Sequence, residues 1–150
     1  MLKEGDQAPG FEGPDDGNGR ISLVHLKGQK IVLYFYPKDN TPGCTREACA
    51  FRDHFGSFHD KETAIIGVSP DSSHSHDKFK KKFNLPFSLL SDPDHKIALA
   101  YGVWKEKSMY GRKFMGIERS TFVIGRNGRI KSIHRKVRVN GHVEKVLETL

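Results

Sequence analysis

Apolar positions along the chain fall into two kinds of run. Ile31 to Tyr36 (IVLYFY) and Thr63 to Val68 (TAIIGV) are continuous β-branched and aromatic stretches. That is the pattern of strands covered on both faces. Between them the period changes. Cys44, Ala48, Phe51, Phe55 and Phe58 recur at i, i+4, i+7, i+11 and i+14, and at about 100° per residue they fall within roughly 40° of one line. The stripe predicts one amphipathic helix lying against the sheet. Thr41 is a good N-cap residue, and Pro42 suits the first helical position, where its missing N–H costs nothing.

Further along, Ser69-Pro70-Asp71 closes the second strand, and a helix with Phe79 and Phe83 one turn apart runs to about Phe83. Phe87 to Leu90 is a short strand. Asp92-Pro93 opens another helix, which Gly102 can terminate. Thr121 to Ile124, the turn Gly125-Arg126-Asn127-Gly128, and Arg129 to Val137 form a hairpin. Val143, Val146, Leu147 and Leu150 mark a C-terminal helix. Strand–helix–strand–helix followed by a hairpin and a final helix predicts an α/β fold with a mixed central sheet flanked by helices. No repeat, linker or low-complexity tract divides the 150 residues, so residues 1–150 read as one domain.

Composition narrows the class without defining a function. With 36% hydrophobic and 29% charged residues the chain reads as a soluble globular protein. MLKEGDQAPGF lacks the apolar stretch of a signal peptide and no segment is long enough to span a membrane, so a cytoplasmic location without membrane attachment is expected. The net charge of +7 raises a nucleic-acid reading. Lys80, Lys81 and Lys82, however, fit the solvated side of a short helix, and the basic residues of Arg126–Arg138 alternate as on an exposed strand. No aromatic-interleaved stripe accompanies them, and no nucleic-acid partner is expected.

The chemistry centres on the only two cysteines, Cys44 and Cys49. In a chain without an export signal, two cysteines favour redox or catalytic use over a structural disulfide. Cys44 falls in the first turn of its helix, where backbone amides lack intrahelical partners and the dipole favours an anion, so its thiol is easier to ionise there. Ionisation alone gains only about tenfold in thiolate for a thiol of pKa about 8.5. A fast thiol enzyme needs donors aimed at developing charge, each worth about a hundredfold or more. The amides of Gly43 and Cys44 can supply part, and a cation the rest. Arg119, just before a strand, is a candidate cation, though by itself it also reads as an ordinary strand-end residue. Thr41 can cap the helix or turn its hydroxyl to the sulfur, capping being the simpler reading.

Cys49 projects about 140° away from Cys44 around the helix, beside Thr45, Arg52 and Asp53. Five residues of intact helix separate the two Cα atoms by roughly 8–9 Å, beyond the limit of about 7 Å for a disulfide. Pairing would therefore require the first turns to unwind.

Other readings of the same residues are weaker. A zinc site from Cys44, Cys49, His54 and His59 would need four ligands that do not share a helix face. The His74-Ser75-His76 cluster, at a helix start, is expected to be solvated rather than metal-binding. A general thiol–disulfide oxidoreductase would carry C-x-x-C, which is absent. A binding module with inert cysteines would differ in the rate of alkylation at Cys44.

The chain resembles the peroxiredoxins, and within them the bacterioferritin-comigratory, or Q-type, subfamily. Pro37, Thr41 and Cys44 match P-x-x-x-T-x-x-C, and Cys49 stands where the subfamily has its resolving cysteine. GDQAPGF, YGVWKEKSMYGRKFMGIERSTFVI and ERSTFVIGRNGRI, which includes Arg119, extend the resemblance over nearly the whole chain. The resemblance implies a thioredoxin-like fold with extra N-terminal strands, and reduction of hydrogen peroxide and organic hydroperoxides without metal, haem or flavin. It implies that Cys44 is the peroxidatic thiol, that Thr41, the amides near Cys44 and Arg119 hold the peroxide, and that Pro42 and Gly43 line its position. Cys49 would resolve the sulfenic acid as an intramolecular disulfide, which thioredoxin or a similar dithiol reduces. A monomer, with a weak dimer as the alternative, is expected.

Overall fold

A computed structural model describes residues 1–17 and 19–150. Its centre is a five-stranded sheet in the order β5-β4-β3-β8-β9. The strands are β3 (Lys30–Phe35), β4 (Thr63–Ser69), β5 (Ser88–Ser91), β8 (Ser120–Ile124) and β9 (Ile130–His134). β3 runs parallel to β4 and β4 to β5, while β8 is antiparallel to both β3 and β9. The predicted mixed sheet is therefore present. Two short strands, β1 (Glu12–Pro14) and β2 (Arg20–Ser22), form an N-terminal hairpin.

Alternation along the buried strands divides the core between the two faces of the sheet. On one side Ile31, Leu33, Phe35, Ile66, Val68, Phe122 and Ile124 pack with Ala8, Phe11 and the helix α4 (Lys96–Ala100). On the other, Val32, Tyr34, Ile65, Leu89 and Val123 meet α1 (Pro42–Asp53), α2 (Phe55–Asp60), α3 (Ser73–Phe83) and α5 (His142–Glu148). Phe51 and Phe58 are fully buried there, each contributing about 2–3 kcal/mol through its removal from water.

The stripe of apolar positions is realised, but by two helices rather than one. The chain leaves helical geometry at His54 (φ −103°, ψ 8°), whose ring nitrogen Nδ1 lies 2.9 Å from the Ala50 carbonyl oxygen. Phe58 returns to the core and Phe55 is left only partly buried. The helix expected to open at Asp92-Pro93 begins at Lys96, after a left-handed His95 (φ 60°). Asp92 still caps it from a distance, its carboxylate accepting from the amides of Ile97 at 3.1 Å and Ala98 at 2.9 Å. Gly102 ends the helix with φ +70°. An additional hairpin, β6 (Trp104–Met109) with β7 (Arg112–Ile117), stands apart from the main sheet and turns at Tyr110-Gly111. Among the described residues, no helix is long and apolar enough to cross a membrane.

Candidate active site

β3 ends at Phe35, and seven residues later the chain enters α1 at Pro42. Cys44 thus stands in the first turn of α1, beyond the carboxyl end of a parallel strand, where open α/β sheets place their ligands. Its side chain is only 2% exposed and packs with Ala48, Phe51 and Tyr34. Antiparallel pairing sets Ser120 opposite Phe35, so Arg119, the preceding residue, arrives at the same edge. One guanidinium then serves two groups. Nη2 donates to Cys44 Sγ at 3.3 Å, and Nη1 donates to Glu47 Oε1 at 2.6 Å. Gly43 leaves the room this needs, because an added Cβ would lie 3.3 Å from Arg119 Nη2.

Glu47 is the residue the sequence reading missed. It is fully buried, three residues after Cys44, and its second oxygen, Oε2, has no hydrogen-bond partner among the described residues. His142 Nε2 lies 4.0 Å from that oxygen and 2.7 Å from Thr121 Oγ1. Burial outweighs Arg119 and pushes the Glu47 carboxyl up to about 7. Burial, followed by the nearby His134, Arg119 and Lys145, pulls His142 down to about 4. Partial burial works against the charge of Arg119, but Glu47 and Cys44 outweigh it and raise Arg119. The guanidinium is therefore a fixed cation at the sulfur.

These shifts carry a sign for stability. Unfolded Glu47 loses its proton near 4.5 and the folded residue near 7, so the folded state binds more protons across that window. Stability falls there with rising pH, at up to about 1.4 kcal/mol per unit. His142 works oppositely: the unfolded ring takes a proton near 6.5 and the folded one only near 4, so stability is lost as pH falls through that range. Glu47→Gln removes the first contribution. Urea titrations should show the variant gaining on the wild type between pH 4.5 and 7. A difference independent of pH would contradict this account of Glu47.

Other expected residues are placed differently. Thr41 occupies the N-cap position, but its hydroxyl neither caps the helix nor turns to the sulfur. It donates to the Lys38 carbonyl at 2.8 Å, and among the described residues no side chain takes up the first-turn amides of α1. Cys44 and Cys49 are both free thiols on one unbroken helix, with Cys49 half-buried. The zinc set of Cys44, Cys49, His54 and His59 is not gathered. Among the described residues, the only cluster with metal-ligand spacing is Asp39, Asp71 and His76. His76 was expected to be solvated and is instead fully buried, since it continues the stripe of Phe79 and Phe83. Lys107, on the β6–β7 hairpin, is a second cation close enough to feel the charges of the site. Burial and then repulsion from Arg119 lower its pKa, while Glu118 and Cys44 pull it back up.

Residues 4–133 match the model of the AhpC/TSA family. The peroxiredoxin Bcp of Bacillus subtilis (strain 168) is 54% identical over 149 residues, covering 99% of this chain and 95% of that protein. Among solved structures, the bacterioferritin comigratory protein of Xanthomonas campestris superposes with a TM-score of 0.88 at 41% identity, covering 92% of this chain and 88% of that one. A cysteine-to-serine mutant of the Xylella fastidiosa PrxQ gives 0.89 at 40% identity, covering 99% and 94%. With the cysteine motif, the mixed sheet and the N-terminal hairpin, these similarities define a thioredoxin-like thiol peroxidase fold. The chain belongs to the AhpC/TSA family, and within it to the Bcp, or Q-type, peroxiredoxins.

Proposed function

We propose that Cys44 reduces hydroperoxides and that Cys49 resolves the product. The observation that carries this reading is the Arg119 guanidinium at 3.3 Å from Cys44 Sγ, held from behind by buried Glu47. The Cys44 thiolate attacks the terminal peroxide oxygen. The O–O bond breaks, an S–O bond forms, and the departing RO⁻ takes a proton to leave as alcohol, or as water when the substrate is hydrogen peroxide. Arg119 and the free first-turn amides of α1, with Gly43 beside them, stabilise the negative charge that passes from sulfur to oxygen. Pro42 opens the helix without adding a competing donor. Thr41 contributes by closing its turn onto Lys38, and its hydroxyl oxygen remains able to accept from the peroxide.

Cys49 then attacks the sulfenic sulfur, expelling the oxygen as water and leaving a Cys44–Cys49 disulfide. A dithiol of the thioredoxin type supplies the two electrons and two protons that restore both thiols. All electrons come from sulfur, so the cycle needs no metal, haem or flavin. The Xanthomonas campestris relative has alkyl peroxide reduction activity, which supports organic hydroperoxides as well as hydrogen peroxide as substrates here. We read residues 1–150 as one domain that works as a cytoplasmic monomer, with a weak dimer as the alternative.

The test is a peroxidase assay driven by thioredoxin, thioredoxin reductase and NADPH. Cys49→Ser is expected to consume one peroxide per chain, gain the mass of one oxygen, and then stop. Wild type should turn over and, after one equivalent of peroxide without reductant, lose the mass of two hydrogens. Undiminished cycling in Cys49→Ser would remove Cys49 from the mechanism.

A further inference from the structure

His76 carries an ion pair that the peroxide chemistry does not use. Its ring is fully buried, with Nδ1 at 2.7 Å from Asp39 Oδ2 and Nε2 at 3.1 Å from the Leu90 carbonyl oxygen. Both partners are acceptors, an arrangement that a doubly protonated, charged imidazole satisfies at both ring nitrogens. Asp39 is buried too. Its carboxylate also accepts from Tyr36 Oη at 2.6 Å and Ser75 Oγ at 2.8 Å, and its amide donates to Asp71 Oδ2 at 2.7 Å. Both His76 ring nitrogens and both Asp39 carboxylate oxygens are thereby committed, which suits a fastening better than a metal site.

The fastening lies just before Cys44. From Asp39 the chain passes through Asn40, held left-handed at φ 60°, to Thr41, whose hydroxyl closes on the Lys38 carbonyl. Proline then fixes the next residue. Little slack separates Asp39 from the first turn of α1. At the other end of α1, Arg52 Nη1 donates to the Phe83 carbonyl at 2.8 Å. Both attachments are made to α3, and between them lies the segment that must unwind before Cys49 can reach Cys44.

We propose that Asp39 and His76 are positioning residues for Cys44: their buried ion pair fixes the Lys38–Thr41 turn on α3 and holds the first turn of α1 wound, with Cys44 against Arg119. This rests on the reading of Cys44 as the attacking thiol. Loosening the pair disfavours the wound form that meets peroxide and favours the unwound form that closes the disulfide. The two half-reactions should therefore respond differently, which a uniform loss of stability would not produce.

Rapid-quench mass spectrometry separates them, following Cys44 oxidation by hydrogen peroxide in a Cys49→Ser background and disulfide closure in chains that retain Cys49. Asp39→Asn is expected to slow oxidation about tenfold or more, the worth of a hydrogen bond to a charged group, with closure unchanged or faster. Tyr36→Phe, which removes one bond to Asp39 and keeps the ring, should do the same to a smaller extent and decides the matter if Asp39→Asn does not fold. His76→Gln should fall between the wild type and Asp39→Asn. Wild-type oxidation rates in Asp39→Asn and Tyr36→Phe, or equal slowing of both steps, would overturn the proposal. Full peroxidase activity in Cys44→Ser would instead overturn the reading beneath it.

Discussion

Cys44→Ser is expected to show no peroxide-dependent NADPH consumption above background, a loss of roughly a thousandfold or more, as befits removal of the nucleophile itself. The substitution is nearly isosteric. A serine oxygen at this buried site can still accept from Arg119 Nη2, which lies 3.3 Å from the sulfur, so the fold and the Arg119–Glu47 pair should persist. A hydroxyl, however, ionises far less readily than a thiol and does not take up peroxide oxygen. Circular dichroism like the wild type together with absent turnover would place the chemistry at this sulfur. Retained turnover would sink the mechanism.

Arg119→Ala carries the second largest effect. It removes a charged donor aimed at the sulfur, worth about a hundredfold or more in kcat/KM. It also leaves buried Glu47 without its partner at 2.6 Å. Glu47 already sits at about 7 with the arginine present, so without it the carboxyl goes higher still and stays neutral at neutral pH. Protonation relieves the unpaired charge, so activity should suffer more than folding. Arg119→Lys keeps a positive charge but has no planar fork to serve Glu47 and Cys44 together. Its kcat/KM is expected between those of alanine and wild type. Steady-state kinetics with hydrogen peroxide read both variants, and a wild-type value for Arg119→Ala would contradict the assigned role.

Much of this architecture is legible in the residues because burial leaves periodic traces. β3 and β4 are covered on both faces and read as unbroken apolar runs. The stripe of Cys44, Ala48 and Phe51 faces the core, as the helical period requires. The β6–β7 hairpin is different. Lys107 pairs with Phe114 and Ser108 with Lys113 on a ribbon that is largely exposed, and exposure removes the alternation that would reveal a strand. Its one local signal is the Tyr110-Gly111 turn, with both residues at positive φ.

Glu47 and His76 were hidden for another reason. A polar residue ordinarily marks the solvated side of a helix, yet Glu47 lies one turn from Cys44 and His76 one turn from Phe79, each beside an apolar stripe. Position on that face, weighed above residue type, was the available clue. Thr41 shows the opposite limit. Its N-cap position follows from sequence, but the choice of Lys38 as its hydroxyl's partner depends on the turn that Asp39 and Asn40 impose.

The central claim is that one segment exists in two forms, wound for peroxide attack and unwound for disulfide closure. Hydrogen exchange read by mass spectrometry on peptides covering α1 (Pro42–Asp53), before and after one equivalent of hydrogen peroxide, tests it most directly. The account predicts that amide protection around Cys44–Cys49 is lost together with the mass of two hydrogens, while β3 and β4 keep theirs. A Cys44–Cys49 disulfide formed with the protection of α1 intact would contradict it.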